Sequence, residues 1–138
     1  MTRSPILSVV SGWAGSAMVV FALWLLWKGH NAPGGGFIGG LLTAAAILLR
    51  LMASGRGASG LRSERTVLVA VAGLAISLAG AGTPALLGYP FFQQAFEYFH
   101  LPLIGDLELA TALVFDIGVY VVVIGTIVTM ITALTERD

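Results

Sequence analysis

An all-α membrane protein with four transmembrane helices is the fold this sequence predicts, and three observations predict it. Of its 138 residues, 57% are hydrophobic and only 10% are charged. A soluble domain carries roughly a quarter charged residues, so solvating groups here are too few to cover a folded surface. The apolar residues fall into four blocks, each close to the ~20 residues that cross a hydrocarbon core about 30 Å thick. The long strand-period alternation of a barrel is missing from the sequence.

The blocks follow in order. Helix 1 is expected over about 5–27, with no charge inside it, and Arg3 precedes it. Its apolar run exceeds the 7 to 15 residues of a signal-peptide core, so it reads as a retained helix. Helix 2, about 37–53, is short and carries Arg50 near its end; Arg50 is expected to snorkel toward that membrane surface. Helix 3, about 66–89, contains Gly80, Gly82 and Pro84, which predict a kink or an early end. Helix 4, about 107–134, has Glu108 at its outer start and one charge deep inside it, Asp116. Thr126, Thr129 and Thr132 are expected to bond back to their own helix. Trp13, Trp24 and Trp27 read as belt or packing residues. The whole chain, 1–138, reads as a single integral membrane domain.

Loop charges set the orientation. With four spans, Arg3, Arg56, Arg62, Arg65 and Arg137 share one side, whereas Lys28 is the lone Lys or Arg on the other. Lys and Arg are retained on the cytoplasmic side of short loops, so both termini are expected in the cytoplasm and the protein in the cell (inner) membrane, multi-pass. The 54–65 stretch, rich in Gly, Ser and Arg, reads as a solvated turn. On the outer side, 90–101 interleaves Phe91, Phe92, Phe96, Tyr98 and Phe99 with polar residues; this suits a short helix at the headgroup level or a docking surface for a neighbour.

Several function classes drop out. Seven Lys plus Arg cancel seven Asp plus Glu, so the basic footprint of a nucleic-acid binder is absent. The apolar excess is the reverse of a disordered chain. Without Cys there are no disulfides or thiolate sites. The sequence offers no Ser-His-Asp, paired-carboxylate or zinc-ligand pattern. An enzyme is not expected, nor is a cofactor.

Two features could carry chemistry. The first is Gly29-His30-Asn31-Ala32-Pro33-Gly34-Gly35-Gly36-Phe37-Ile38-Gly39-Gly40. Pro33 fixes its own φ and biases Ala32 away from helix, and the glycines after it permit positive φ or close backbone approach. The stretch is either a tight turn whose Gly35, Gly36, Gly39 and Gly40 allow close helix packing, or a broken-helix element lining an ion path. The second is Asp116, about nine residues or ~13 Å inside helix 4. A charge there costs several kcal/mol unless neutralised, hydrated or paired. No Lys or Arg of this chain sits at that depth from the same side, which points to protonation, a wet cavity or a partner from another chain. Tyr120, one turn on, is expected to donate a hydrogen bond to it.

The Gly29–Gly40 stretch, following one hydrophobic helix and opening another in a chain of this size, resembles the MnhB/MrpB subunit of the multi-subunit Mrp-type Na+/H+ antiporters. The resemblance covers essentially the whole chain and extends to the acidic position in the last helix, Asp116. It implies a small subunit of a hetero-oligomeric complex exchanging Na+ for H+, with the other subunits, both ions and the lipid bilayer as its partners. Pro33 and Phe37 match motif positions that matter for antiport in that family. Asp116 matches the acid proposed there to line a sodium route, as a transient hard-oxygen Na+ contact. Two rival readings stand beside it: a purely structural assembly subunit with no ion contact, and a small dimeric proton-coupled exporter. Such exporters usually place their buried acid in the first helix, which here has no charge.

Overall fold

The computed structural model describes residues 5–29, 34–55, 62–86 and 102–135, with backbone alone for 84, 85 and 102–110. It contains four helices, α1 (Pro5–Lys28), α2 (Gly35–Ser54), α3 (Ser63–Leu86) and α4 (Pro102–Thr135), each long and apolar enough to cross a membrane. Among the described residues there is no strand.

The helix ends follow local chemistry. Pro5 occupies the first position of α1, where its missing N–H goes unused. Lys28 closes the same helix, complements its negative end and lies over the Trp24 ring at 4.8 Å. Gly34 precedes α2 with φ +99° and Gly55 follows it with φ +61°, values that favour glycine. The Gly34 carbonyl accepts from the Ile38 amide at 2.9 Å, and the Gly55 amide reaches the Met52 carbonyl.

Several boundaries differ from the sequence expectation. α3 starts three residues early because the Arg62 carbonyl already accepts from the Arg65 and Thr66 amides. Its helical backbone includes Pro84 and reaches Leu86, three residues short of the expected 89. α4 starts at Pro102, five residues early, because its backbone continues helically past the polar residues Asp106 and Glu108. Pro33, residues 56–61 of the Gly- and Ser-rich stretch and the aromatic-rich 90–101 stretch lie outside the described residues.

The helices stand in a row, in the order α1, α2, α4, α3. α3 touches α4 alone and α2 bridges α1 and α4, with α1 and α4 meeting only slightly. Apolar side chains gain little by leaving lipid for each other, so small residues must allow close backbone contact. The α3–α4 seam is antiparallel and built this way. A β-carbon on Gly73 would stand 2.6 Å from the Val122 nitrogen, and one on Gly125 2.6 Å from that of Ala70. Gly80 rests on Phe115 and Gly118 on Ser77. Thr129 and Thr132 bond back to the Gly125 and Thr129 carbonyls. The buried apolar residues are small, namely Ala22, Ala44, Ala46, Ala53 and Val128, while large side chains such as Trp13, Val20 and Met130 face outward.

Candidate ion-path site

The four glycines that open α2 divide between two neighbours. Gly35 and Gly39 face α1: a β-carbon on Gly35 would lie 2.7 Å from the Leu25 carbonyl, and one on Gly39 2.8 Å from that of Ala22. Gly36 and Gly40 face α4. A β-carbon on Gly36 would collide with the Asp116 carbonyl, and one on Gly40 would stand 2.9 Å from the Val123 β-carbon. α2 and α4 run parallel here, with the first turn of α2 level with Asp116. The glycine-rich turn and the acid, far apart in sequence, thus form one site.

This placement relates the acid to the length of α2. Asp116 is level with the second residue of α2, a helix whose 20 residues make ~30 Å at 1.5 Å per residue, about one hydrocarbon thickness. The acid is therefore level with the mouth of the α1–α2 pair, while α4 continues beyond it to Pro102. Asp116 is half-buried and has an interaction partner within the chain, so its counterpart need not come from another polypeptide, as its lone position in helix 4 suggests.

Tyr120 also departs from expectation. Its ring lies beside Gly39, and its hydroxyl is 2.8 Å from Thr43 Oγ1 on α2. It does not turn back to Asp116. The bare backbone at Gly39 leaves room for the ring, and an interhelical partner satisfies the hydroxyl. Thr43 is almost fully buried. The sequence offers one unused signal for it: Thr43 lies seven residues after Gly36, two helical turns on and therefore on the same face. Phe37 is about half exposed on the outer surface of the same turn.

Arg50 does not reach for the nearest membrane surface. Its guanidinium donates to Ser16 Oγ at 2.8 Å and, at 3.4 Å, to the Gly12 carbonyl on α1. Gly15 leaves space beneath it, because a β-carbon there would be 3.1 Å from Arg50 Nε. Side chains lean toward the N-terminus of their own helix, which carries this one back along the membrane.

The site thus offers a carboxylate at the mouth and, one turn inward, two hydroxyls, all hard oxygen donors of the kind that suit Na+ or a proton relay. Among the described residues no group of three or more His, Cys, Asp or Glu gathers. A resting multi-carboxylate cage is not formed there.

Fold and site together define a multi-pass cell-membrane protein in which α2 and α4 carry an interhelical hydroxyl pair beside an acid. The family model described as "Domain related to MnhB subunit of Na+/H+ antiporter" matches residues 6–129. The chain is 40% identical over 139 residues to the B-type Na(+)/H(+) antiporter subunit of Bacillus subtilis (strain 168), covering 99% of this chain and 96% of that one. It is 41% identical over 123 residues to the protein of the same name from Alkalihalophilus pseudofirmus, covering 88% and 85%. A probable K(+)/H(+) antiporter subunit of Rhizobium meliloti, whose name carries the joint letters A/B, is 31% identical over 133 residues, which are 95% of this chain and 13% of that one. The chain belongs to the MnhB family of antiporter subunits.

Proposed function

We propose that the chain contributes to a Na+ path in a hetero-oligomeric Na+/H+ antiporter complex. Asp116 is the oxygen ligand or charge stabiliser at the mouth, and the Tyr120–Thr43 pair is a second polar station. Gly34, Gly35, Gly36, Phe37, Gly39 and Gly40 shape the entrance, and Pro33, outside the described residues, belongs to the same sequence motif. The observation that carries this reading is the backbone contact between Gly36 and Asp116, because it couples the unusual turn to the acid. Two relatives near 40% identity are named for Na+, which favours that cation. The relative with the joint A/B name holds a matching stretch within a much longer chain, which makes an A-type subunit the first neighbour to consider. Both termini are cytoplasmic in this reading, since Arg62 and Arg65 stand at the Gly55 end and Lys28 at the opposite end.

The test replaces Asp116 by Asn in the whole complex and measures Na+-dependent proton exchange in membrane vesicles. Weaker apparent Na+ affinity or slower exchange, with every subunit still co-purifying, supports the proposal; unchanged exchange removes it. A second reading, assembly without ion contact, rests on the same close α2–α4 packing. It wins if Asp116→Asn disperses the complex.

A further inference from the structure

We infer that the face formed by α1 and the end of α2 around Arg50 docks a transmembrane helix of another subunit, one carrying an Asp or Glu at mid-membrane depth. The inference rests on the chain being part of a multi-subunit assembly, and it is independent of any ion contact at Asp116. Arg50 is exposed on the surface of the chain. Its guanidinium is fixed between Gly12 and Ser16, the eighth and twelfth of the 24 residues of α1, about 10–16 Å from where that helix begins. A charge at such depth is costly and faces a partner or water rather than acyl chains. Among the described residues no carboxylate pairs with it; its partners are one hydroxyl and one carbonyl, both neutral.

The occupant follows from depth and charge. Lipid phosphates lie outside the hydrocarbon core, about 15 Å from its centre, and Arg50 turns away from the nearer surface toward Ser16. An anion that meets it in place must be carried into the membrane on a protein helix. The flanking surface suits a helix: Trp13, beside the Gly12–Ser16 notch, is 80% exposed, and Val9 and Val20 on the same helix are also exposed. A planar guanidinium already held on one edge presents its remaining N–H groups to a carboxylate with little further loss of freedom.

The experiment tags this chain in the whole complex and compares Arg50→Lys, Arg50→Gln and Arg50→Glu for the other subunits recovered in mild detergent. Removing one partner of a buried charge pair weakens an interface by about thirtyfold or more. Recovery should fall by that factor for Arg50→Glu and less for Arg50→Lys, and suppressors of Arg50→Glu should map to an acidic residue in a spanning helix of another subunit. A photo-cross-linking residue at position 13, with Arg50 intact, should join the chain to that same subunit. Full recovery of the subunits from Arg50→Glu, or cross-links to lipid alone, overturns the inference. Intact assembly with lost exchange also overturns it, and assigns Arg50 to the ion route instead.

Discussion

Gly36 and Asp116 touch through their backbones: where any other residue at position 36 would place a β-carbon, the Asp116 carbonyl already stands. The contact sets the register of two parallel helices and holds the acid against the first turn of α2. It also makes a glycine a determinant of carboxylate position, because any side chain there must push α4 away.

Gly36→Ala should therefore be damaging although alanine favours helices. Overpacking a tight contact costs about 1–3 kcal/mol, and the thermal stability of the solubilised complex should fall accordingly. Gly82→Ala, on α3 and away from the Arg50 face, is the control. Nothing lies within 4 Å of a β-carbon there, so stability should hold or rise by up to about 1 kcal/mol.

The 2.8 Å contact between Thr43 and Tyr120 predicts energetic coupling. In a cycle of Thr43→Val, Tyr120→Phe and the double variant, the coupling should be about 0.6 kcal/mol, with ~1.7 as a ceiling for interhelical bonds in membranes. Thermal unfolding of the four proteins measures it. Additive effects would mean the hydroxyls act separately.

How much of this is legible in the sequence depends on the residue. The four spans and their rough limits follow from the apolar blocks, since length and polarity alone decide what can cross lipid. The close-packing role of Gly35, Gly36, Gly39 and Gly40 is also readable, because few other reasons place small residues at that spacing. Which neighbour each pair meets is not: a helix face has no label for its partner, and α4 is distant in sequence. For the same reason the sequence points Tyr120 to Asp116, one turn away, whereas Thr43 across the interface is its partner. Arg50 misleads in the same way, since its nearness to a helix end says nothing of the Gly12–Ser16 notch beside it.

The Ser77 hydroxyl is buried against Gly118 with no hydrogen-bond partner. An unsatisfied buried polar group costs about 1–3 kcal/mol. Ser77→Ala should keep the seam and raise thermal stability, with exchange activity unchanged. A loss of stability would show that the hydroxyl has a role in the assembled complex.

Asp116 as a Na+ contact is tested most directly by protection. A membrane-permeant carbodiimide should label Asp116 in the intact complex, and rising Na+ should slow that labelling with saturation while choline at equal ionic strength does not. Labelling that proceeds at the same rate with and without Na+ would contradict the proposed ion contact at this carboxylate.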